Sequence, residues 1–154
     1  MMHRYEQGRQ AAPPVGQDFS GVPNTADDYR LLTFRVQLLT SATVANRYPH
    51  FQFVTPTGDV VHEVVPMSAQ VASTTITYDL ISSSGSANEG SAPNDGVASL
   101  ALPNLWFPAN TRLRSLTTGL QVGDSWGISY YSALYGDEWE HLMLLREIKV
   151  ALGG

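Results

Sequence analysis

The chain has no cysteine. Disulfides, thiolate metal sites and a cysteine nucleophile are therefore excluded from its chemistry. It is also poor in charge: Asp, Glu, Lys and Arg make up 15% of its 154 residues, against a usual share of about 25%. Such a surface is short of charge for a free monomer, which points to some of it being covered by a partner. Basic residues are the minority, with 9 Lys and Arg against 14 Asp and Glu, a formal net charge of −5. A protein that tracks a nucleic-acid backbone normally carries a basic excess, so nucleic acid is not an expected partner. No apolar run approaches the roughly 20 residues of a membrane span, so no membrane partner is expected. The opening MMHRYEQGRQAAPPVGQ lacks the apolar core of a signal peptide, and no Asn-x-Ser/Thr acceptor occurs. The expectation is synthesis in the cytoplasm.

What is present is enough to fold. Apolar residues make up 43% of the chain, and this length suits one domain that buries about two thirds of its unfolded surface. Residues 1–28 stand apart. They hold Pro13, Pro14 and Pro23 with Gly8, Gly16 and Gly21, and show no periodic apolar pattern. They read as an extended arm, able to reach on the order of 90 Å at about 3.3 Å per residue. Tyr5, Val15, Phe19 and Val22 are its sizeable hydrophobes and its expected anchors on a neighbouring subunit.

From residue 29 to residue 154 the pattern is that of a β-domain. Leu32, Phe34, Val36 and Leu38 alternate with Thr33, Arg35 and Gln37, a period of two with one face buried. Residues 51–55 alternate again, the turn residues Pro56, Thr57, Gly58 and Asp59 follow, and residues 59–65 return, which predicts a hairpin. Residues 73–81 place Ile76, Tyr78 and Leu80 on one face. Residues 82–99 are a long low-complexity loop, of a length that is uncommon in compact domains. Strands are predicted again over 97–102, 111–118 and 126–134. The apolar, proline-flanked stretch 102–108 reads as a buried crossing. Residues 138–151 fit a C-terminal helix, with Asp137 as N-cap and Glu140 at the capping-box position, and fit a closing strand as well. Seven or eight short strands argue an all-β, jelly-roll-like β-sandwich.

The chemistry-bearing residues do not converge in sequence. His3, His50, His62 and His141 lie too far apart for a two-histidine metal pair, and His62 reads as a partly buried strand residue. There is no Gly-x-Ser-x-Gly elbow, Walker loop or Gly-x-Gly-x-x-Gly. The nearest serine string, Ser83, Ser84 and Ser86 around Gly85, lies in the low-complexity loop. The carboxylate groups Asp27 with Asp28, Glu89 with Asp95, and Asp137, Glu138 and Glu140 are the candidate glycosidase pairs; the last are explained by helix capping. Asn88, Glu89, Asn94 and Asp95 do not match an EF-hand spacing. No catalytic residue, cofactor or metal site is expected. The aromatic residues Tyr130, Tyr131 and Tyr135, near Trp126 and Trp139, fit either packing or a sugar-binding platform. Tyr130 and Tyr131 must point to opposite faces of a strand, so one faces out.

Two stretches resemble a known group. They are residues 40–47 (TSATVANR) and residues 102–126, the latter with LTTGLQVGD near its end. Both are similar to small β-sandwich structural proteins encoded among the virion genes of tailed bacteriophages, over roughly residues 30–128. The resemblance implies a β-sandwich without enzymatic activity: a capsid decoration protein or a head–tail neck or collar component. It implies other virion proteins (major capsid, portal or neck) as partners, a homo-oligomer, and residence in the virion after synthesis in the bacterial host cytoplasm. The expected body contacts are Trp106, Phe107, Tyr130 and Tyr131. Removal of residues 1–28 is expected to leave the fold intact and abolish assembly. The alternative reading is a carbohydrate-binding β-sandwich module of a fibre or host-recognition apparatus.

Overall fold

The computed structural model describes residues 4–21, 26–82, 96–136 and 151–153. The described residues form an all-β sandwich of two packed sheets. The strands are β1 (Arg4–Gln10), β2 (Tyr29–Leu39), β3 (Tyr48–Val54), β4 (Val60–Val64), β5 (Thr75–Ser82), β6 (Val97–Leu102), β7 (Arg112–Thr118), β8 (Ser125–Trp126) and β9 (Ser129–Tyr135). The larger sheet runs β1-β9-β2-β5-β6, with β8 pairing the end of β2, and the smaller runs β4-β3-β7. Residues 138–150, where helix and strand competed in the sequence, lie outside the described residues, as do Val22 and the loop at 83–95.

The period of two builds both inner faces. On β2, Phe34, Val36 and Leu38 are buried while Arg35 and Gln37 face water. The register against β9 shifts between Leu31 and Thr33. A bulge of this kind re-aims side chains, and here Leu31 rather than Leu32 joins the core. Ile76, Tyr78 and Leu80 of β5 are buried together. The β3–β4 hairpin closes over residues 55–59, where Thr55 N–H donates to the Asp59 carbonyl and Gly58 takes φ +92°. On β7, Leu113 is inside and Arg112 is exposed. One pairing departs from the antiparallel pattern: β5 and β6 are parallel, with Leu80 beside Leu100.

The arm behaves differently from the expectation of a free strap. Residues 4–10 pair antiparallel with β9, extending the larger sheet of their own chain. Residues 11–17 then cross the end of the sandwich, and Phe19 enters the core at 3% exposure. Its ring lies 5.4 Å from Phe34 and meets Trp126 edge-on at 5.2 Å. Beside it, the Asp18 carboxylate accepts from Ser115 Oγ (2.7 Å), Thr117 N–H (2.9 Å), Thr117 Oγ1 (2.6 Å) and Trp126 Nε1 (3.2 Å). The Phe19 carbonyl also accepts from Ser115 N–H. This covers part of the β7 edge, which would otherwise expose unpaired backbone groups. The expectation that removal of residues 1–28 spares the fold is corrected on this ground. Truncation would open the core and strip the β7 edge.

A second polar group sits deeper. Arg47 and Asp124 have no exposed side-chain surface and form a bidentate pair, with Nε on Oδ2 and Nη2 on Oδ1, each at 2.9 Å. Further partners surround the pair. Arg47 Nη1 donates to the Ala45 carbonyl and Nη2 to Ser41 Oγ, while Asp124 accepts from the backbone N–H groups of Ser41 and Gln121. The Arg47 backbone exchanges two hydrogen bonds with Gln70. The buried Gln70 side chain donates to the Leu38 carbonyl and accepts from the Tyr78 hydroxyl. Four chain segments are thereby tied at one end of the sandwich. Burial alone would raise the Asp124 pKa, but the Arg47 hydrogen bond and the two N–H donors outweigh it and hold the carboxyl at about 2, below its ordinary 3.8.

Breaking such a pair by removing one partner strands a buried charge. Arg47→Ala and Asp124→Ala are expected each to cost about 3–5 kcal/mol in urea unfolding. Because the folded pKa of Asp124 is depressed, its contribution is present above pH 4 and is lost as pH falls through about 2. Wild-type urea midpoints should fall across that window, and this component should be missing in Asp124→Asn. Phe19→Ala is expected to cost about 3–5 kcal/mol. A near-neutral midpoint change would show that the arm is not part of the core.

Candidate functional site

The outer face of the larger sheet carries a set of exposed polar and aromatic side chains. Alternation on β1 sends Tyr5, Gln7 and Arg9 to one face. Register places Tyr5 opposite Leu134, Gln7 opposite Ser132 and Arg9 opposite Tyr130. On the other flank of β9, Tyr130 pairs with Arg35 and Ser132 with Thr33, and Arg35 pairs with Asp79 of β5. These strands enclose a groove of about 480 Å³, lined by Gln7, Thr33, Arg35, Asp79, Tyr130 and Ser132 together with Gly8, Ile81 and Tyr131. That is within the usual size of ligand clefts, although it is open rather than enclosed.

Its polar groups are fixed by one another. Arg35 Nη2 lies 2.7 Å from Asp79 Oδ2, and this bond, with the carboxylate's charge, raises the guanidinium pKa further. The Thr33 and Ser132 hydroxyls share a hydrogen bond across the bulge at 2.5 Å, and Gln7 Nε2 donates to the Tyr5 hydroxyl at 2.9 Å. A preordered array of hydroxyls, an amide, an ion pair and a flat ring can meet a polar surface without ordering long side chains first.

The eight contact residues named from sequence divide clearly. Tyr5 and Tyr130 lie on this face and are 53% and 52% exposed. Tyr131 turns the opposite way, as adjacent strand residues must, and packs against the core. Its ring is allowed there by Gly8, since a methyl at that position would lie 2.5 Å from the ring. Trp106 is 43% exposed in the loop between β6 and β7, and Val15 is 63% exposed in the arm crossing. Phe19 and Phe107 require correction as contact residues. Phe19 fills the core as described, and Phe107 stacks on Phe53 at 4.1 Å while pairing its backbone with Tyr29. Both are inside their own chain because the space between the sheets needs their volume. Val22 lies outside the described residues.

The other sequence candidates also have places. His62 is half-buried beside Phe53, and burial lowers its pKa. His50 Nδ1 contacts Glu63 at 3.0 Å, and Glu63 also accepts from Gln52 at 2.6 Å. Asp28 caps the Ala109 N–H, and Asp27 pairs with Arg4. His3, His141, Trp139, the serines at 83–86 and the carboxylates at 89, 95, 137, 138 and 140 lie outside the described residues. Among the described residues, no cluster of three His, Asp or Glu side chains is placed to hold a metal, and no helix is long and apolar enough to cross a membrane. Sequence reading missed Asp18, Arg47, Asp79 and Asp124, each of which has a side-chain partner between 44 and 108 residues away.

No protein-family model and no curated protein matches the chain. Solved structures give low-level likenesses. A chain from the structure of infectious bursal disease virus, Gx strain, is 13% identical with a TM-score of 0.41, over 88% of this chain and 33% of that one. A chain of the Bacillus endospore appendages, described as a family of disulfide-linked pili, is 8% identical with a TM-score of 0.36, over 88% and 90%. The bursal disease virus Gt strain gives 14% identity and a TM-score of 0.36, over 85% and 32%. The present chain thus spans about a third of the length of the viral chains it resembles.

The two tyrosines are expected to respond differently to change. Gly8→Ala should cost about 1–3 kcal/mol by forcing the Tyr131 ring aside. Tyr130→Ala should stay within about 0.5 kcal/mol. Thermal denaturation of both variants checks this, and equal effects would contradict the assigned orientations.

Proposed function

We propose that this chain is a non-enzymatic structural protein of a virion, of the tailed-phage type, acting as a capsid decoration protein or a head–tail neck or collar component. Its partners in this reading are other virion proteins and further copies of itself, and it reaches the particle after synthesis in the bacterial host cytoplasm. The observation that carries the reading is the outer face of the larger sheet, where Tyr5 and Tyr130 stand about half exposed on a rigid strand framework. Exposed tyrosines on a preordered surface suit a protein interface, where aromatic residues are enriched and ordering costs are low. The resemblance of residues 40–47 and 102–126 to virion proteins of tailed phages adds the particle context. The arm supports it in a revised form: it stiffens the body and widens the contact face.

Mass spectrometry of purified particles tests the reading. The wild-type chain should be found in stoichiometric amount, and Tyr130→Asp should lower incorporation by about 30-fold or more if Tyr130 is an interface hot spot. Absence of the wild-type chain from particles would remove the proposal.

A second reading, a carbohydrate-binding module, is favoured by one feature: the groove sets hydroxyls, an amide and the pair of Arg35 with Asp79 around Tyr130. Saturable binding on a host-surface glycan panel, lost in Tyr130→Ala, would select it over the structural role.

A further inference from the structure

The smaller sheet has a cleft of its own, about 380 Å³ in volume. It lies between the β3–β4 turn (Thr55, Gly58) and the start of β7 (Asn110, Arg112, Arg114), and Ser20 of the arm also lines it. Alternation explains the two arginines. Leu113 and Ser115 are buried, so Arg112 and Arg114 share the opposite, outer face. Two residues of extended strand rise about 6.6 Å, which sets the spacing of their side-chain roots.

Charge in this cleft is one-sided. Arg4, Arg35 and Arg47 each lie 2.7 to 3.1 Å from a carboxylate oxygen. Arg112 and Arg114 have no carboxylate partner among the described residues. The acidic groups of the adjoining hairpin are engaged elsewhere: Asp59 accepts from Thr57 Oγ1 at 2.7 Å, and Glu63 contacts His50 and accepts from Gln52. Arg114 is nonetheless positioned. Its Nε donates to Gln52 Oε1 at 3.0 Å, and Glu63 holds the other end of that amide at 2.6 Å. The Nη groups of Arg114 and the guanidinium of Arg112 are left for a ligand. Two like charges side by side repel, and an anion beside each removes that repulsion.

We propose that this cleft binds an extended acidic peptide of a partner protein, with carboxylates at alternate residues, one to each arginine. Spacing and charge select this occupant. An extended peptide laid along β7 presents side chains on one side every two residues, at the same repeat of about 6.6 Å. Residues i and i+2 of the peptide then meet Arg112 and Arg114 in register. A guanidinium matches a carboxylate through two parallel N–H donors. A long nucleic-acid backbone is opposed by the net charge of −5. A short peptide senses mainly the cleft, because charges beyond about 10 Å are screened at 0.1 M salt. The proposal rests on the assembly reading above and gives the partner's contact segment its chemistry.

The test is an NMR titration of the full chain that follows backbone amides and arginine Nε–H signals. The probes are the end-blocked peptides Thr-Glu-Thr-Glu-Thr, Thr-Gln-Thr-Gln-Thr and Thr-Glu-Glu-Thr-Thr, with inorganic phosphate and oligothymidylate for comparison. The alternating acidic peptide should bind with a dissociation constant of about 1 mM or tighter and shift the signals of Arg112 and Arg114. The adjacent-Glu peptide should bind at least about threefold more weakly, and the Gln peptide should not bind. Arg112→Gln should weaken binding about tenfold. Arg9→Gln, the same charge change on the other sheet, should leave it unaltered, and unchanged amide signals elsewhere confirm the fold of both variants. No saturable binding up to about 10 mM, equal binding of the Gln peptide, or equal losses in the two variants would overturn the site. Phosphate binding as tightly as the peptide would overturn it in favour of a simple anion site, and tighter oligothymidylate binding in favour of nucleic acid. Any of these failures leaves the assembly reading to the particle measurement, which does not depend on this cleft.

Discussion

The closed pair of Arg47 and Asp124 is the constraint around which one end of this protein is organised. Two charges without solvent contact are tolerable only when they are paired and hydrogen-bonded, since a lone buried ion costs several kcal/mol. Here the guanidinium and the carboxylate bind each other twice and then reach Ser41, Ala45 and Gln121. The result is positional. The turn before β3 and the turn before β8 cannot move independently, and Gln70 locks the β4–β5 connection to the same point. The pair thereby joins residues 40–47 to the segment that ends at Trp126.

The second constraint is the arm. An extended segment rich in proline and glycine gives up backbone freedom when it lies down, at about 1–2 kcal/mol per residue. It is kept in place by returns at both ends. β1 gains a ladder with β9, and Phe19 gains the core, while Asp18 satisfies three hydroxyl or amide donors and the Trp126 indole N–H. The segment between them must cross the sandwich end, which is why prolines and a positive-φ glycine stand there. Its extended character was legible, whereas its partner was not.

Most strands of the body were readable because alternation is a local property. β2, β3, β4, β5, β6, β7 and β9 fall within a few residues of where period two and turn chemistry put them. β1 was not readable: RYEQGRQ has no apolar face, since it adds to a sheet edge through backbone bonds and packs little. The bulge after Leu31 was missed for a related reason, because it answers to the register of β9 and not to β2 itself. The opposite orientations of Tyr130 and Tyr131 followed from a local argument, that neighbouring strand residues point apart. Phe19 and Phe107 misled because a large hydrophobe in an irregular segment looks the same whether it covers a neighbour or plugs its own core.

By itself, the sequence determined the all-β class, the single apolar body, the exclusion of cysteine chemistry and the low surface charge. These depend on composition and on periods of a few residues, which no distant contact can alter. Tertiary structure decided which hydrophobes are core and which are surface in the arm and in the β6–β7 loop. It also decided that the charges of Arg47 and Asp124 disappear into one another. The physical reason is sequence separation: Arg47 and Asp124 are 77 residues apart, and Asp18 and Trp126 are 108 apart. No local pattern marks such residues as partners until the sheets bring them together.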